Sequence, residues 1–270
     1  MSGGLELYVE GIGLWTPRLA GWEFARPVLR GGAAAPEVTA KRPDPVVLPP
    51  AERRRCPDSV ALALAVAAAA CAQAQREPAS LPAVFASAYG DPGITDYLCA
   101  TLAQDPTLLS PTRFHNSVHN AAAGYWTIAT GCMEPCTALA AGDETFATAL
   151  LSAAAQVHAQ RTPLLLVAYD TGAVGPLATV VPSRGLFGAA LVLAPARTER
   201  TLARVVLGVQ AEEQITVARA ANAALVERNA MAPCLPLFEA LADAMPRTVH
   251  LGLGAGGVLA VNCQPTNPGT

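Results

Sequence analysis

Charged residues are scarce in this sequence. Asp, Glu, Lys and Arg make up 14% of the 270 residues, and the formal net charge is −3. Basic side chains are thinly spread, apart from Arg53-Arg54-Arg55. A nucleic-acid-binding chain carries a basic face that neutralises phosphates, so that class is excluded. Long apolar runs are missing as well. The longest, residues 60–72, is mostly alanine and falls short of the ~20 residues that cross a bilayer. Residues 1–10 show no basic segment followed by an apolar one, so no secretory leader is expected. The seven cysteines are an odd number and widely scattered. They read as reduced, mostly core residues of a cytoplasmic protein.

Apolar residues, at 52% of the chain, supply enough core for one large domain or two small ones. Residues 5–15, LELYVEGIGLW, alternate and then meet Pro17, which predicts a first strand. Residues 16–52 are rich in Pro, Gly and Ala without a sustained period and read as a surface excursion. Residues 58–75 predict a helix apolar nearly all round, hence buried on several sides, with Asp58 or Ser59 as its N-cap. Strands are expected over 83–90, 135–141 (buried), 163–170, 185–194 and 203–210. Helices are expected over 93–104, 116–131, 143–160 and 235–245. Strands alternating with helices, then strand following strand, predict an α/β domain with a mixed sheet. No internal repeat is present.

Several motifs invite chemistry. Gly252, Gly254 and Gly257 match G-x-G-x-x-G, but an apolar strand follows instead of a helix, and no acidic residue lies downstream. A glycine hairpin is the expectation there, and no cofactor is expected. His115 and His119 have the spacing of two ligands on one helical face, yet Asn116 stands where H-E-x-x-H has its Glu. Helix-start polarity is the plainer reading. Cys132 and Cys136 lack a second pair, so they read as core, and no metal site is expected. Arg53-Arg54-Arg55 is either a solvated run or a patch for an acidic partner. The segment 137–153, TALAAGDETFATALLSA, has the strand–glycine–helix layout that exposes a nucleophile in many enzymes. Its apex carries Gly142, Asp143 and Glu144, with no Cys or Ser. Two acids at a helix start favourably meet the helix dipole.

Residues 110–157 resemble the core of β-ketoacyl synthases of the thiolase superfamily. The features are Asn120, Ala123-Gly124, Ile128 and Gly131 on a helix, Pro135, a small-residue strand, and an elbow into a long Ala-rich helix. Residues 7–17, 163–170 and 187–196 resemble the family's flanking strands. The resemblance implies a thiolase-like half-domain: a layered α/β/α arrangement with a mixed five-stranded sheet. The core would span about 5–210 with a short closing tail over 211–270, and the C-terminal half-domain would be largely missing.

Laid beside that family, Asp143 falls on the nucleophilic cysteine. A carboxylate cannot hold a growing acyl chain as a thioester does. His250 lacks the surroundings of the family's distal histidines. The resemblance therefore implies a non-catalytic, chain-length-factor-like subunit, as in aryl polyene pigment biosynthesis. Its partner would be a full-length ketosynthase in a heterodimer, with acyl carrier protein engaged indirectly. Cys136, Thr137 and Leu139 would lie on the pairing strand. Phe114, His115, Asn116 and Val118 would face the partner's acyl tunnel, with Phe114 setting its length. Two rival readings are an acyl-thioester decarboxylase or hydrolase using Asp143 or Glu144, and a homodimeric acyl-chain-binding protein.

Overall fold

The computed structural model describes residues 4–37, 40–211, 214–226 and 228–266. The alternating first segment forms β1 (Leu5–Thr16), and the two-residue β2 (Leu19–Ala20) folds back on its end. Helices α1 (Trp22–Leu29) and α2 (Pro50–Arg53) interrupt the excursion that follows. The Ala-rich segment is α3 (Asp58–Ala74). Then come β3 (Ala83–Ala86), α4 (Pro92–Gln104), α5 (Pro111–His115), α6 (Ala121–Thr130), β4 (Cys136–Leu139) and α7 (Thr145–Gln160). The apolar run after α7 is β5 (Leu164–Thr171), every residue of it buried. The chain continues through β6 (Leu186–Ala194), β7 (Ala203–Ala211), α8 (Ala220–Ala223), α9 (Leu235–Ala242), β8 (Arg247–Gly254) and β9 (Gly257–Pro265).

One mixed sheet runs in the order β4-β3-β5-β6-β1-β7-β9-β8, with β2 paired to β1. The pairs β4–β3 and β3–β5 are parallel; the rest are antiparallel. Helices α1, α7 and α9 pack a core on one face, and α3 with α6 packs a second core on the other. This is the expected α/β/α layering on a mixed sheet. Among the described residues the sheet has nine strands instead of five. The long β1 pairs with β6 along its second half and with β7 along its first, so the sheet continues past it into β7, β9 and β8.

The layers meet closely where glycine permits it. A Cβ on Gly11 would lie 2.0 Å from the Ala70 carbonyl oxygen, and one on Gly13 2.1 Å from that of Val66. The backbone of α3 thus rests almost directly on β1, which only glycine at these two strand positions allows. Beside this contact Glu10 is fully buried. It accepts from Arg76 Nε at 2.8 Å, Arg76 Nη2 at 3.0 Å and Thr198 Oγ1 at 2.6 Å.

Local expectations fail in instructive ways. Residues 16–52 are not a bare excursion: α1 buries Trp22, Ala25, Val28 and Leu29 despite Pro27 inside it. The helix expected over 116–131 begins only at Ala121, after a turn. No side chain caps α3; Pro57 is its N-cap, and the Ser59 hydroxyl donates to Asp91 Oδ2 at 2.6 Å. Residues 254–257 form the expected glycine hairpin between β8 and β9. Among the described residues, no helix is long and apolar enough to cross a membrane.

Candidate functional site

The parallel strands β4, β3 and β5 end on one side of the sheet, where open α/β sheets place their sites. After β4 the chain makes a single 3-10 turn, Gly142–Glu144, before α7 begins at Thr145. Asp143 and Glu144 therefore precede the α-helix instead of forming its first turn. Gly142 sits at φ +58°, a left-handed conformation that a side chain disfavours. The buried Thr145 hydroxyl accepts from Ala141 N at 2.9 Å and donates to the Gly142 carbonyl at 2.7 Å. The bend is thus fixed from inside, while Asp143 at its apex is exposed. Asp143 borders a cavity of about 310 Å³ with Ser183, Arg228 and Asn229. The β8–β9 hairpin approaches the turn from the other side: a Cβ on Gly254 would meet the Glu144 carboxyl at 3.6 Å.

Behind the elbow lies a buried polar cluster that the sequence reading missed. Asp170, at the end of β5, is fully buried. Its Oδ1 accepts from Ser87 Oγ at 2.9 Å and Tyr89 N at 3.1 Å, and its Oδ2 accepts from Ala88 N at 2.8 Å. Burial outweighs these bonds and raises the carboxyl to about 6. His119 Nε2 hydrogen-bonds the Ser87 carbonyl at 2.8 Å. The Tyr89 hydroxyl is raised, first by burial and then by the charges of Asp143 and Asp170. Asn229 closes the cluster by donating to the carbonyls of Asp170 at 3.2 Å and Arg184 at 3.0 Å. The sequence signal was present but faint: a lone acid ending an eight-residue apolar strand.

The remaining candidates separate into two groups. Cys136, Thr137 and Leu139 lie on β4, whose only partner among the described strands is β3. The expectation of a buried strand is overturned: Cys136–Ala138 are exposed and Leu139 is half-buried. Small apolar residues read as core, but no described strand pairs with this edge. Beside it, α6 leaves Ile128 83% exposed, and Met133 in the connecting turn is 94% exposed. Cys132 is buried as expected, whereas Cys136 is not. Loss of solvation still pushes the Cys136 thiol up to about 11, so it is protonated at neutral pH.

Phe114, His115, Asn116 and Val118 lie on α5 and the turn after it. Phe114, His115 and Val118 are exposed, and Asn116 is buried. His115 ends α5 and His119 sits in the turn, so the two imidazoles do not share a helical face. Among the described residues, no group of three or more His, Cys, Asp or Glu is placed to hold a metal. Arg53 is a structural residue rather than a free patch, donating to the carbonyls of Leu48 at 2.7 Å and Val46 at 3.1 Å.

No curated protein sequence matches the chain. Solved structures do. A chain from the ketosynthase (ApeO) in complex with its chain length factor (ApeC) of Xenorhabdus doucetiae superimposes with a TM-score of 0.70 at 18% identity. The match covers 95% of this chain and 98% of that one. A chain of the ishigamide ketosynthase/chain length factor gives 0.72 at 16% identity, covering 97% and 99%. A β-ketoacyl synthase from Burkholderia phymatum STM815 gives 0.66 at 12%, covering 97% and 100%. At these identities the likeness is one of fold. The model of the β-ketoacyl synthase N-terminal domain matches residues 31–242, most of the chain. With the layered sheet and the strand–turn–helix elbow in place, the chain belongs to the β-ketoacyl synthase N-terminal domain family.

Proposed function

We propose that this chain is a non-catalytic, chain-length-factor-like partner of a β-ketoacyl-ACP synthase. It would serve fatty-acid or polyketide-type biosynthesis, with aryl polyene pigments as the product class. The unpaired β4 edge with the exposed apolar side chains of α6 beside it is the observation that carries this reading. An edge strand of small residues next to Ile128 and Met133 suits burial against a second, similar sheet. The likeness to structures that contain a ketosynthase and its chain length factor supports the same reading. In it Asp143 holds the position of the ketosynthase nucleophile without its chemistry. The partner performs the decarboxylative condensation on carrier-protein thioesters, and Phe114, exposed on α5, bounds the acyl tunnel.

The test is co-expression with the cognate full-length ketosynthase. A one-to-one complex is expected, and Phe114→Ala is expected to lengthen the product without changing complex yield. A chain that stays monomeric in the presence of the synthase and leaves its products unchanged sinks the proposal. A homodimer by native mass measurement would favour the acyl-chain-binding reading instead. One observation favours a second reading, an acyl-thioester decarboxylase or hydrolase: Asp143 borders the 310 Å³ cavity together with Arg228. Asp143→Asn separates the two. Product formation by the complex is expected to be retained; a fall of about 100-fold, the scale of a lost general base, would favour the enzyme.

A further inference from the structure

The sheet ends on two strands, and the chain treats them differently. At one end Cys136–Ala138 of β4 are exposed. At the other, β8 has β9 as its only partner among the described strands, and a segment of the same chain lies along its outer edge. Thr216 N donates to the His250 carbonyl at 2.9 Å, and His250 N donates to Thr216 Oγ1 at 2.9 Å. The hydroxyl stands in for a backbone carbonyl, so both backbone groups of His250 that a further strand would use are taken. Gly252 lets the segment lie close, since a Cβ there would meet Ile215 Cδ1 at 3.1 Å. This first glycine of the G-x-G-x-x-G match thus has a packing role.

Apolar burial does not hold the segment in place, because Ile215 is 53% and Val217 79% exposed. A polar clasp does so a few residues further on. Glu239, on α9, is fully buried. Its Oε1 accepts from Arg219 N at 2.9 Å and from Asn222 Nδ2 at 2.7 Å. Arg219 Nη1 donates to the Leu29 carbonyl at 2.7 Å, Arg219 Nη2 pairs with Asp243 at 2.5 Å, and Asn222 Nδ2 also reaches the Leu29 carbonyl at 3.0 Å. A buried carboxyl is costly unless its partners are in place. Both hydrogen-bond donors to Glu239 come from this segment, so the clasp and the segment depend on each other.

We propose that residues 214–222 are a built-in guard over the β8 edge. The guard keeps a second copy of this chain from pairing there and leaves β4 as the edge offered to another sheet. A bare antiparallel edge is self-complementary, because two copies related by a twofold axis exchange the same backbone bonds. Thr216 takes those bonds at His250 within the chain itself. The inference concerns the two ends of the sheet and holds whatever protein pairs with β4.

The test uses the full chain carrying Ala138→Arg, a charge on the exposed β4, so that sedimentation velocity reads association through β8. With the guard intact, a monomer is expected from about 1 to 100 µM, the range in which bare edges associate. Thr216→Pro removes the N–H and the hydroxyl together and is expected to bring concentration-dependent dimers. Thr248, two residues before His250, turns its N–H to the same outer edge. Adding Thr248→Pro is therefore expected to restore the monomer, as proline at an edge blocks pairing. Thr216→Val removes the hydroxyl alone. It is expected to keep the thermal midpoint while hydrogen exchange at the His250 amide, read by NMR, rises about tenfold, the scale of one lost hydrogen bond. That reading decides the matter if the proline variant does not fold. Three results would overturn the proposal: self-association with the guard intact, a folded Thr216→Pro chain that stays monomeric or dimerises regardless of Thr248→Pro, or unchanged His250 exchange in Thr216→Val.

Discussion

Asp170 shows how one buried carboxyl ties together the ends of two strands. It gathers Ser87, Ala88 and Tyr89 after β3 onto β5, while Asn229 binds its own carbonyl. Its pKa rises from 3.8 to about 6 on folding because burial disfavours the charge. Between those values the folded state holds a proton that the unfolded chain has released. Asp170 therefore contributes most below about pH 4 and progressively less up to about pH 6, with no change beyond. In Asp170→Asn an amide donor replaces one acceptor and faces the Ala88 N–H, so the variant is destabilised by about 1–3 kcal/mol. Denaturant melts from pH 4 to 7 are expected to show that gap narrowing up to about pH 6 and then holding steady. A gap independent of pH would assign the raised carboxyl to another residue.

At the scale of elements, β4 is the strand whose environment is incomplete. Among the described residues its backbone pairs with β3 alone, and Cys136–Ala138 are exposed. Ala138→Arg is therefore expected to change the stability of the isolated chain by less than ~0.5 kcal/mol, as other exposed substitutions do. The same change is expected to abolish co-purification with the synthase, because a charge buried in an apolar strand pairing goes uncompensated. The strands β1, β5, β6 and β7 were legible because alternation and continuous apolar runs report burial directly. The exposure of β4 was not, since alanine and threonine look alike whether their own chain or another covers them. Helix α1 was hidden by Pro27, which breaks the usual pattern yet leaves Trp22, Ala25, Val28 and Leu29 on one buried face. Asp170 was overlooked because an acid at a strand end also reads as a turn residue. The elbow was legible as a layout, but its 3-10 turn and the inward Thr145 bond came only with the backbone.

For the whole molecule, the seven thiols report accessibility. Cys99 and Cys136 are exposed, and Cys56, Cys71, Cys132, Cys234 and Cys263 are buried. A thiol reagent applied to the folded chain is expected to modify two cysteines, Cys136 the slower because its thiol is raised to about 11. The other five are expected to react only on unfolding. Assembly with a synthase is expected to protect Cys136 and leave Cys99 reactive. Equal protection of both would place the partner elsewhere on the surface.

The position of β1 in the sheet governs how this chain can be made. It leaves the ribosome well ahead of the strands it pairs with, since its long-range neighbours β6 and β7 begin about 170 residues or more after it ends. At ordinary synthesis rates of ~5–20 residues per second, its apolar flank waits roughly 10–30 s for them. Helix α3 emerges much sooner and, through Gly11 and Gly13, can lie on one side of β1 in the meantime. The bare glycines of the first strand thus give the nascent chain an early shield against aggregation, and a bulkier residue there would lower soluble yield before it touched any activity.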